Sequence, residues 1–392
     1  MKKLRNFLKN IFLIKMLYHC IKDFIYSLFY KTFLCYFFYD FNLTEVIENN
    51  KKYTLVPCHN GTGGIITYLN NKYSSQKNIL VLRNHISGGK DFLYSIENLE
   101  THKKIFIKPQ KIKKLSKNIK QIKIVSLESY MSLNLLFNFF ESLNVQISYD
   151  LHDFHCIWIY AHLVQNDVYL DEEHVKKAEF IYGFKKITYN KWHFLWNDFL
   201  KNVQEIFAFS NSSKQIFSTY FPDYIDKVKV TPHSLDYIKC GKIKNIDNKL
   251  TVGIFGLIRG SDKGCYVLKD FLNFSKDKDF NIFLFGELAE DCKVYSGNIF
   301  YKGHYNVSEL DKIISENGIS AVLFPSICPE TFSYLVSELI FTGVPVACFN
   351  IGAQAEKVSE YKMGEIIKDF SNESILSALK NAHQKGIEYY EK

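Results

Sequence analysis

Two glutamates, Glu330 and Glu338, are the strongest chemical signal in the sequence. Glu330 follows an apolar run that ends near Phe324, and Glu338 lies inside a helix predicted to begin near Ser333. Free backbone N–H groups at such a helix N-terminus suit a phosphate or a sugar hydroxyl. The two carboxylates, eight residues apart in the chain, can reach different parts of one extended ligand. The alternative is that Glu330 caps the helix and Glu338 is a solvated helix residue.

Two cations follow another predicted strand. Leu250–Phe255 runs into a turn at Gly256, and Arg259 and Lys263 come before the helix predicted to begin at Gly264. Fixed positive charges at a strand end neutralise a diphosphate and stabilise it as a leaving group. The alternative for each residue is an ordinary loop cation.

Two loops in the first half of the chain also carry candidate residues. The loop His59–Gly64 contains glycines that let a backbone approach a ligand closely, but it matches no known nucleotide-binding fingerprint, and a plain tight turn is the alternative. His152 and Asp153 follow a predicted strand, and both residue types serve in acid/base chemistry and hydroxyl binding. A buried structural histidine is the alternative there.

Short β-rich runs alternate with helical stretches from Lys51 onward, which favours α/β layers around parallel sheets. Ligands of such sheets bind outside the carboxyl ends of the strands, where these motifs fall. Strands are predicted at Tyr53–Cys58, Ile79–Arg83, Ile122–Ser126, Val145–Asp150, Glu205–Phe209, Lys227–Thr231, Leu250–Phe255, Asn281–Phe285, Ile299–Tyr301, Ser320–Phe324 and Val344–Cys348.

The polar stretch 233–249 interrupts this alternation and is predicted to link two domains. We expect a basic helical extension at 1–47 and an N-terminal Rossmann-like domain on the acceptor side at 48–235. A second Rossmann-like domain, for the donor, is expected at 236–372. A last helix at 373–392 is expected to cross back to the N-terminal domain.

The composition limits the class of protein. The chain has 392 residues, of which 47% are hydrophobic and 23% charged, so it is a globular protein of about two domains. Nine cysteines without a C-x-x-C pair indicate reduced core thiols in a cytosolic protein. No Asp-x-Asp pair stands at a predicted strand end, and we expect neither a metal nor another cofactor.

The net charge of +8 is concentrated at the N-terminus. A nucleic-acid enzyme more often spreads basic residues over its working face, so no nucleic acid partner is expected. The segment favours amphipathic helices on an anionic membrane surface; helices packed on the protein or on another subunit, and a membrane span, are the alternatives. Against the single acid Asp23, the basic residues are Lys2, Lys3, Arg5, Lys9, Lys15, Lys22 and Lys31.

The run PETFSYLVSELIFTGVPVACFNIGAQAEKV, which begins at Pro329, resembles the signature of the retaining GT-B glycosyltransferases that use nucleotide sugars. It is most similar to the glycosyltransferase family 4 type, including bacterial polysaccharide enzymes and rhamnosyltransferases. The resemblance covers roughly residues 53–370 in layout. It implies two Rossmann-like domains that face a central cleft.

The same resemblance implies roles for individual residues. Glu330 would contact the donor sugar and Glu338 the donor ribose, and Lys263 matches the family lysine. The family arginine directly follows the glycine, where this chain has Leu257, so Arg259 is a displaced candidate. The remaining implied contacts are donor-binding Phe332, Ser333, Tyr334, Leu335, Gly63, Gly64, Gly256 and His304, the donor-sugar contact His152, and Asp153 and Gly352 on the acceptor or sugar side.

The expected reaction is transfer of a hexosyl or deoxyhexosyl group, with retention, from a nucleotide-diphosphate donor. The acceptor would be a hydroxyl of a growing surface glycan, such as lipopolysaccharide or capsule, or of a lipid-linked glycan. We expect a cytoplasmic enzyme that is peripheral at the inner face of the cell membrane. The alternatives are a non-catalytic GT-B module that binds a nucleotide sugar or a partner, and a GT-B phosphorylase or epimerase.

Overall fold

The computed structural model of the protein describes residues 43–48, 50–60, 64–87, 90–182 and 185–392. Residues 1–42 of the predicted basic extension lie outside the described residues, and so does Gly63. The chain forms two compact units. Of the described residues, the first contains those up to 60, 66–122 and 129–145, and the second contains 64, 65, 123–128 and 146–392.

The first unit contains a mixed sheet with the strand order β5-β1-β2-β3-β4. Its strands are β1 (Tyr53–Pro57), β2 (Ile79–Ser87), β3 (Lys90–Asn98), β4 (Lys104–Ile107) and β5 (Ile119–Ile124). Strand β1 is buried along its whole length and pairs in parallel with β2 and β5. The helices are α1 (Gly64–Tyr73), α2 (Leu133–Ser142) and the 3-10 helices Leu43–Glu45 and Pro109–Asn118.

Strands β3 and β4 were not among the predicted strands. They pair antiparallel, β3 with β2 and β4 with β3, so this sheet is not wholly parallel as expected. Asp91, Ser95 and Glu97 interrupt the apolar pattern of β3, and β4 has only three apolar residues after Lys104, which is too short a run to mark a strand.

The second unit begins with three parallel strands, β6 (Gln146–Asp150), β11 (Glu205–Ala208) and β12 (Val228–Val230). Between β6 and β12 the chain adds two short hairpins and three helices. These elements are β7 (Val164–Gln165), β8 (Val168–Tyr169), α3 (Glu172–Lys177), β9 (Glu179–Tyr182), β10 (Lys185–Thr188), α4 (Tyr189–Leu200), α5 (Asn211–Tyr220) and the 3-10 helix Pro222–Lys227.

The rest of the second unit is a six-stranded parallel sheet in the order β15-β14-β13-β16-β17-β18. Its strands are β13 (Thr251–Ile258), β14 (Asn281–Leu288), β15 (Ile299–Gly303), β16 (Ala321–Phe324), β17 (Val346–Phe349) and β18 (Gly364–Ile367). Its helices are α6 (Cys265–Phe274), α7 (Leu310–Glu316), α8 (Tyr334–Thr342), α9 (Gly352–Glu360) and α10 (Asn372–Tyr390).

Both faces of this parallel sheet are covered, which explains its continuous apolar strands. Successive side chains of a strand point to opposite faces. Leu323 of β16 therefore packs with Phe271 of α6 and Leu379 of α10, and its neighbour Phe324 packs with Val336 of α8 and Val358 of α9. The predicted parallel α/β layers are confirmed in this sheet.

Helix α10 packs on β16, β17 and β18, and its expected crossing to the N-terminal domain stays a prediction. The seven cysteines within the described ranges are buried. None of the helices in the described part of the chain is long and apolar enough to cross a membrane.

Gly264 permits a close approach of two loops in the second unit. It joins the 3-10 turn Ser261–Lys263 to α6 with a φ of +76°, and an added Cβ would collide with the carbonyl oxygen of Pro325. We expect Gly264→Ala to lower the free energy of unfolding by at least about 2 kcal/mol, measured by urea denaturation.

Gly297→Ala is the matched control, since an added Cβ there meets nothing within 4 Å. An equal loss of stability in the two variants would contradict the role assigned to Gly264.

Candidate functional site

A direct ion pair joins two of the residues that the sequence singled out. Lys263 follows β13, and Glu330 lies in the loop between β16 and α8. Lys263 Nζ lies 2.8 Å from Glu330 Oε1, and the side chains are 36% and 18% exposed. Since β13 and β16 are neighbours in a parallel sheet, both loops leave the same edge. The predicted phosphate ligand and the predicted sugar ligand therefore share one site.

Both members of this pair are held in their charged forms. Burial acts to lower the pKa of Lys263, but the Glu330 carboxylate outweighs it and raises that pKa. Burial likewise acts to raise the pKa of Glu330, and the Lys263 ammonium holds it below its usual value. The site therefore offers one ammonium and one carboxylate in contact.

The backbone fixes the loop that carries Lys263. The Asp262 carbonyl oxygen accepts hydrogen bonds from the backbone N–H groups of Ile327 and Cys328, both at 3.1 Å. It also accepts one from Ser326 Oγ at 3.1 Å. These bonds tie the turn after β13 to the loop after β16, so the Lys263–Glu330 pair does not have to hold the two loops together alone.

Gln354, at the start of α9, fixes the loop that carries Glu330. Its Oε1 accepts a hydrogen bond from the Glu330 N–H at 3.1 Å, and its Nε2 donates to the Cys328 carbonyl at 2.7 Å. Gln354 is fully buried. The sequence analysis missed this residue, although it lies inside the signature run.

Gly352 permits the close approach of α9 to the same loop. It has a φ of +65°, and an added Cβ would lie 2.6 Å from Pro329 Cα and 2.7 Å from the Glu330 nitrogen. The next residue, Ala353, donates its N–H to the Glu330 carbonyl at 2.9 Å. The structure thus places Gly352 against the backbone of the Glu330 loop.

The N-terminus of α8 lies directly after this loop. Ser333 precedes the helix in a left-handed conformation with a φ of +59°, and its side chain makes no capping hydrogen bond. The first N–H groups of a helix, here from Tyr334 and Leu335 onward, have no partner inside the helix, and an anion is favoured there. Phe332 and Ser333 are buried, whereas Tyr334 and Leu335 are half-buried.

Glu338 lies one turn further along α8 and is only 7% exposed. Its Oε1 accepts a hydrogen bond from the Tyr237 hydroxyl at 2.9 Å. Burial raises the pKa of Glu338, and the hydrogen bond from Tyr237 opposes that shift. The alternative of a solvated helix residue is therefore wrong for Glu338, and Tyr237 is a partner that the sequence analysis missed.

Three glycines with positive φ line a small pocket at the carboxyl ends of β13, β14 and β15. They are Gly256 (+113°), Gly286 (+105°) and Gly303 (+73°), and the pocket has a volume of about 110 Å³. Its walls are mostly apolar, with Glu287 as an acidic wall residue. His304, the predicted base contact, follows Gly303 and is exposed.

Arg259 lies at the end of β13 on the exposed surface. Its guanidinium donates to the Glu287 carboxylate, and its side chain is 61% exposed. Leu257, which occupies the position of the family arginine, is 54% exposed. The structure thus pairs Arg259 with a carboxylate other than Glu330, and its role toward a phosphate stays a prediction.

His152 contacts the Glu330 loop through its backbone. Its carbonyl accepts a hydrogen bond from Thr331 Oγ1 at 3.3 Å. Its ring lies 5.5 Å from the ring of His233, and His233 stacks at 5.2 Å on Tyr334. A line of aromatic rings therefore connects two predicted site residues, and the sequence analysis missed His233 because its polar loop gave no sign of this contact.

Asp153, next to His152, uses both carboxylate oxygens within the protein. Oδ2 accepts a hydrogen bond from Ser126 Oγ at 2.6 Å, and Oδ1 accepts one from the His155 N–H at 3.0 Å. The residue is 4% exposed. It fixes the turn that carries His152, while its predicted contact with an acceptor or sugar stays a prediction.

Gly64 and Ile65, the first two residues of α1, are grouped with the second unit, and Gly64 lies near Tyr334. A Cβ added to Gly64 would lie 3.5 Å from the Tyr334 ring, an ordinary van der Waals distance. The neighbouring predicted residue Gly63 is outside the described residues.

Lys357 of α9 is a further cation that the sequence analysis did not identify. Its Nζ lies 3.3 Å from the centre of the Phe332 ring and donates to the Ser333 carbonyl at 3.4 Å and to Ser337 Oγ. Burial lowers the pKa of Lys357 to about 8, although Glu330 opposes this shift. The Lys357 amine therefore contacts the segment between Glu330 and α8 through the Phe332 ring and the Ser333 carbonyl.

One group of potential metal ligands lies beside the Lys263–Glu330 pair within the described part of the chain. The ligand atoms of His162, Asp262 and Cys328 are within 4.8 Å of one another. Burial raises the pKa of the Cys328 thiol to about 11, and the Lys263 ammonium is 4.0 Å from its sulfur. A metal needs the thiolate and meets the repulsion of that ammonium, so these residues fit a metal poorly.

The mixed sheet of the first unit and the helix-covered parallel sheet of the second fit the GT-B fold predicted from the sequence. Solved structures of Anabaena HepE bear this out. The HepE complex with UDP has a TM-score of 0.58 at 14% identity, over 87% of this chain and 94% of HepE. Other HepE structures contain UDP with glucose, or UDP-glucose.

Two further structures have the same fold. Sucrose-phosphate synthase from Thermosynechococcus elongatus gives a TM-score of 0.52 at 11% identity, over 87% of this chain and 94% of that protein. A glycosyltransferase from Rickettsia africae gives 0.51 at 14% identity, over 87% and 92%. The sequence matches no protein-family model, and no curated protein is significantly similar to it.

The environment of Lys357 leads to a prediction about pH. Its folded-state pKa of about 8 lies below the ordinary lysine value of 10.5, so between these pH values the unfolded chain binds more protons than the folded chain. The free energy of unfolding therefore contains a contribution that rises with pH across this window. We expect Lys357→Met to remove that rise, measured by urea denaturation at several pH values from 8 to 10.5.

Lys362→Met, at an exposed lysine, is the control and should keep the wild-type slope of unfolding free energy against pH. A wild-type slope in Lys357→Met would show that this amine is not held in a desolvated state.

Proposed function

We propose that the protein is a glycosyltransferase that uses a nucleotide-diphosphate sugar as donor. The observation that carries this proposal is the Lys263–Glu330 contact, which lies beside the N-terminus of α8 at the carboxyl edge of a parallel sheet. An ammonium and a helix N-terminus attract a diphosphate. The adjacent carboxylate accepts hydrogen bonds from sugar hydroxyls.

The diphosphate would bind between Lys263 and the first N–H groups of α8. Charge builds up on the diphosphate as the bond to the sugar breaks, and preorganised donors stabilise that charge in a site of low dielectric. Lys263 is held by Glu330 in the free protein, so its position is set before the donor arrives. Lys263 and the N–H groups of α8 would neutralise the diphosphate, as a divalent metal does in other transferases. The proposal therefore includes a reaction that needs no metal.

The nucleoside would extend from the diphosphate along α8. Glu338 is buried and accepts one neutral hydrogen bond from Tyr237, so its carboxylate retains lone pairs for ribose hydroxyls. The glycine-lined pocket of about 110 Å³ at β13, β14 and β15 would receive part of the base. HepE, which has this fold, was solved with UDP and UDP-glucose, so UDP is the first nucleotide to test.

The sugar would lie against Glu330 and His152, whose loops are joined through Thr331. Retention of configuration is proposed on the resemblance of the signature run. The acceptor is proposed to be a hydroxyl of a surface or lipid-linked glycan, which places the reaction at the cytoplasmic face of the cell membrane. The basic segment of residues 1–42 would assist there.

One observation favours a second function, that of a binding module without transfer. Leu257 stands at the position of the family arginine, and Arg259 is paired with Glu287 on the surface. Such a site would keep one ammonium, Lys263, for binding and would lack the second cation for the leaving group. Release of free nucleoside diphosphate from the donor distinguishes a transferase from this module.

The two cations are tested by calorimetric titration with UDP, GDP and dTDP. Because a hydrogen bond to a charged group contributes about 1.5–3 kcal/mol, we expect Lys263→Ala to weaken binding of the preferred nucleotide at least about 10-fold. Arg259→Ala should change it less than about 3-fold, since its charge is already neutralised by Glu287.

Lys263→Met has a similar side-chain length without the charge and should behave as Lys263→Ala does. Nucleotide binding as tight as wild type in both Lys263 variants would refute the proposed diphosphate site.

The two glutamates are separated by kinetics with the preferred donor. Glu330→Gln keeps the shape of the side chain but loses its charge, and we expect turnover to fall more than about 100-fold, as for other positioned groups in active sites. Glu338→Gln should chiefly raise the KM for the donor, because it acts on the ribose. Near-wild-type turnover in Glu330→Gln would overturn the role of Glu330, and the absence of any turnover in the wild type would favour the binding module.

A further inference from the structure

A strongly basic segment of the first unit has no place in the proposed reaction. Between Glu100 and Glu128 the sequence contains nine lysines and neither an acidic residue nor an arginine. Eight of these lysines are exposed. We call them the lysine surface: Lys103, Lys104, Lys108, Lys111, Lys113, Lys114, Lys117 and Lys120.

The fold holds the centre of this surface in place. The 3-10 helix Pro109–Asn118 buries Ile112 and Leu115, which are 1% and 0% exposed, and the lysines between and beside them face solvent. The helix packs against β3 and α2. The lysine surface therefore belongs to a folded element that keeps its charges side by side, unlike a solvated tail.

Most lysines of the lysine surface have no ion-pair partner among the described residues. Seven of its eight members, all but Lys108, take part in none of the ion pairs found there. The neighbouring acids Glu48 and Glu100 contact Lys51, which precedes the surface in the chain. A concentration of unpaired positive charge attracts a polyanion.

The chemistry of the side chains favours phospholipid headgroups over nucleic acid. Proteins that bind nucleic acids contact bases with the guanidinium groups of arginines and stack bases on exposed aromatic rings. The lysine surface has no arginine, and the Phe106 ring beside it is half-buried, with Lys104 Nζ 5.4 Å from its centre. Lysines act as point charges, which suits the phosphates of a membrane surface.

The course of the chain gives a second, independent argument. The 3-10 helix Leu43–Glu45 packs on β4, and Asn98 of β3 donates to the Val46 carbonyl at 2.8 Å. Residue 43, where the described part of the chain begins, therefore lies beside the strand that begins at Lys104. Residues 1–42, which precede it, interleave lysines with Phe, Leu, Ile and Tyr, and stable attachment to a membrane generally combines two such signals.

We propose that the lysine surface is an electrostatic docking site for a membrane that contains anionic phospholipid. The first unit thus binds the headgroups itself, in addition to any contribution from residues 1–42. This inference does not depend on the reaction that the second unit catalyses.

The test uses the full chain and vesicles of phosphatidylglycerol and phosphatidylcholine in equal parts. The variant carries Lys111→Gln, Lys113→Gln, Lys114→Gln and Lys117→Gln. Each lysine near an anionic surface contributes about 1 kcal/mol, so we expect at least about 100-fold weaker binding in flotation at low salt. High salt should shrink the difference between variant and wild type, because it screens exposed charges.

The control carries the same change of net charge at four exposed lysines elsewhere, Lys244→Gln, Lys276→Gln, Lys312→Gln and Lys362→Gln. It should bind vesicles within about 3-fold of the wild type, since charges beyond a Debye length contribute little. Unchanged UDP binding and melting temperature in both variants would show that the fold is intact.

Four results would overturn the proposal. The first two are an equal loss of vesicle affinity in the lysine-surface variant and the control, and an unchanged vesicle affinity in the lysine-surface variant. The third is a wild-type protein that does not bind anionic vesicles, and the fourth is a lysine-surface variant that loses binding to a labelled single-stranded RNA while it still binds vesicles. The last result would assign the surface to nucleic acid.

Discussion

The contact between Lys263 and Glu330 is the interaction on which the rest of the site depends. A partly buried charged group is unfavourable unless it has a partner, and each of these residues supplies the partner of the other at 2.8 Å. The pair forms only if the loops after β13 and β16 stay at a fixed separation. Three features fix that separation. The Asp262 carbonyl and the Gln354 side chain form hydrogen bonds to the Glu330 loop, and Gly352 has no Cβ, so α9 can lie against the same loop.

The same loop is held from two further directions inside the second unit. Thr331 is bonded on one side to the His152 carbonyl and on the other to Ser213 Oγ at 3.1 Å. Glu356 of α9 accepts hydrogen bonds from the Ser212 backbone at 2.6 Å and from Asn211. The strained backbone at Ser333 is thus surrounded by fixed contacts, which is how a left-handed serine persists before α8.

The sequence was sufficient for the residues that lie where a parallel strand ends. Lys263 and Glu330 follow apolar runs, and the geometry of a parallel sheet brings such loops to one edge. It was insufficient for contacts that depend on side-chain direction. The pairing of Arg259 with Glu287, the stacking of His233 on Tyr334 and the burial of Lys357 leave no local pattern in the sequence. The strand β3 was missed because polar residues interrupt its apolar pattern, and β4 was missed because its apolar run has only three residues.

The most direct test of the account is a crystal structure of the protein with UDP-glucose. The account predicts a diphosphate within hydrogen-bonding distance of Lys263 Nζ and of the first N–H groups of α8. It also predicts the ribose at Glu338 and the sugar at Glu330. A donor whose diphosphate is bound away from Lys263, for example on Arg259, would contradict the central claim that the Lys263–Glu330 pair forms the donor site.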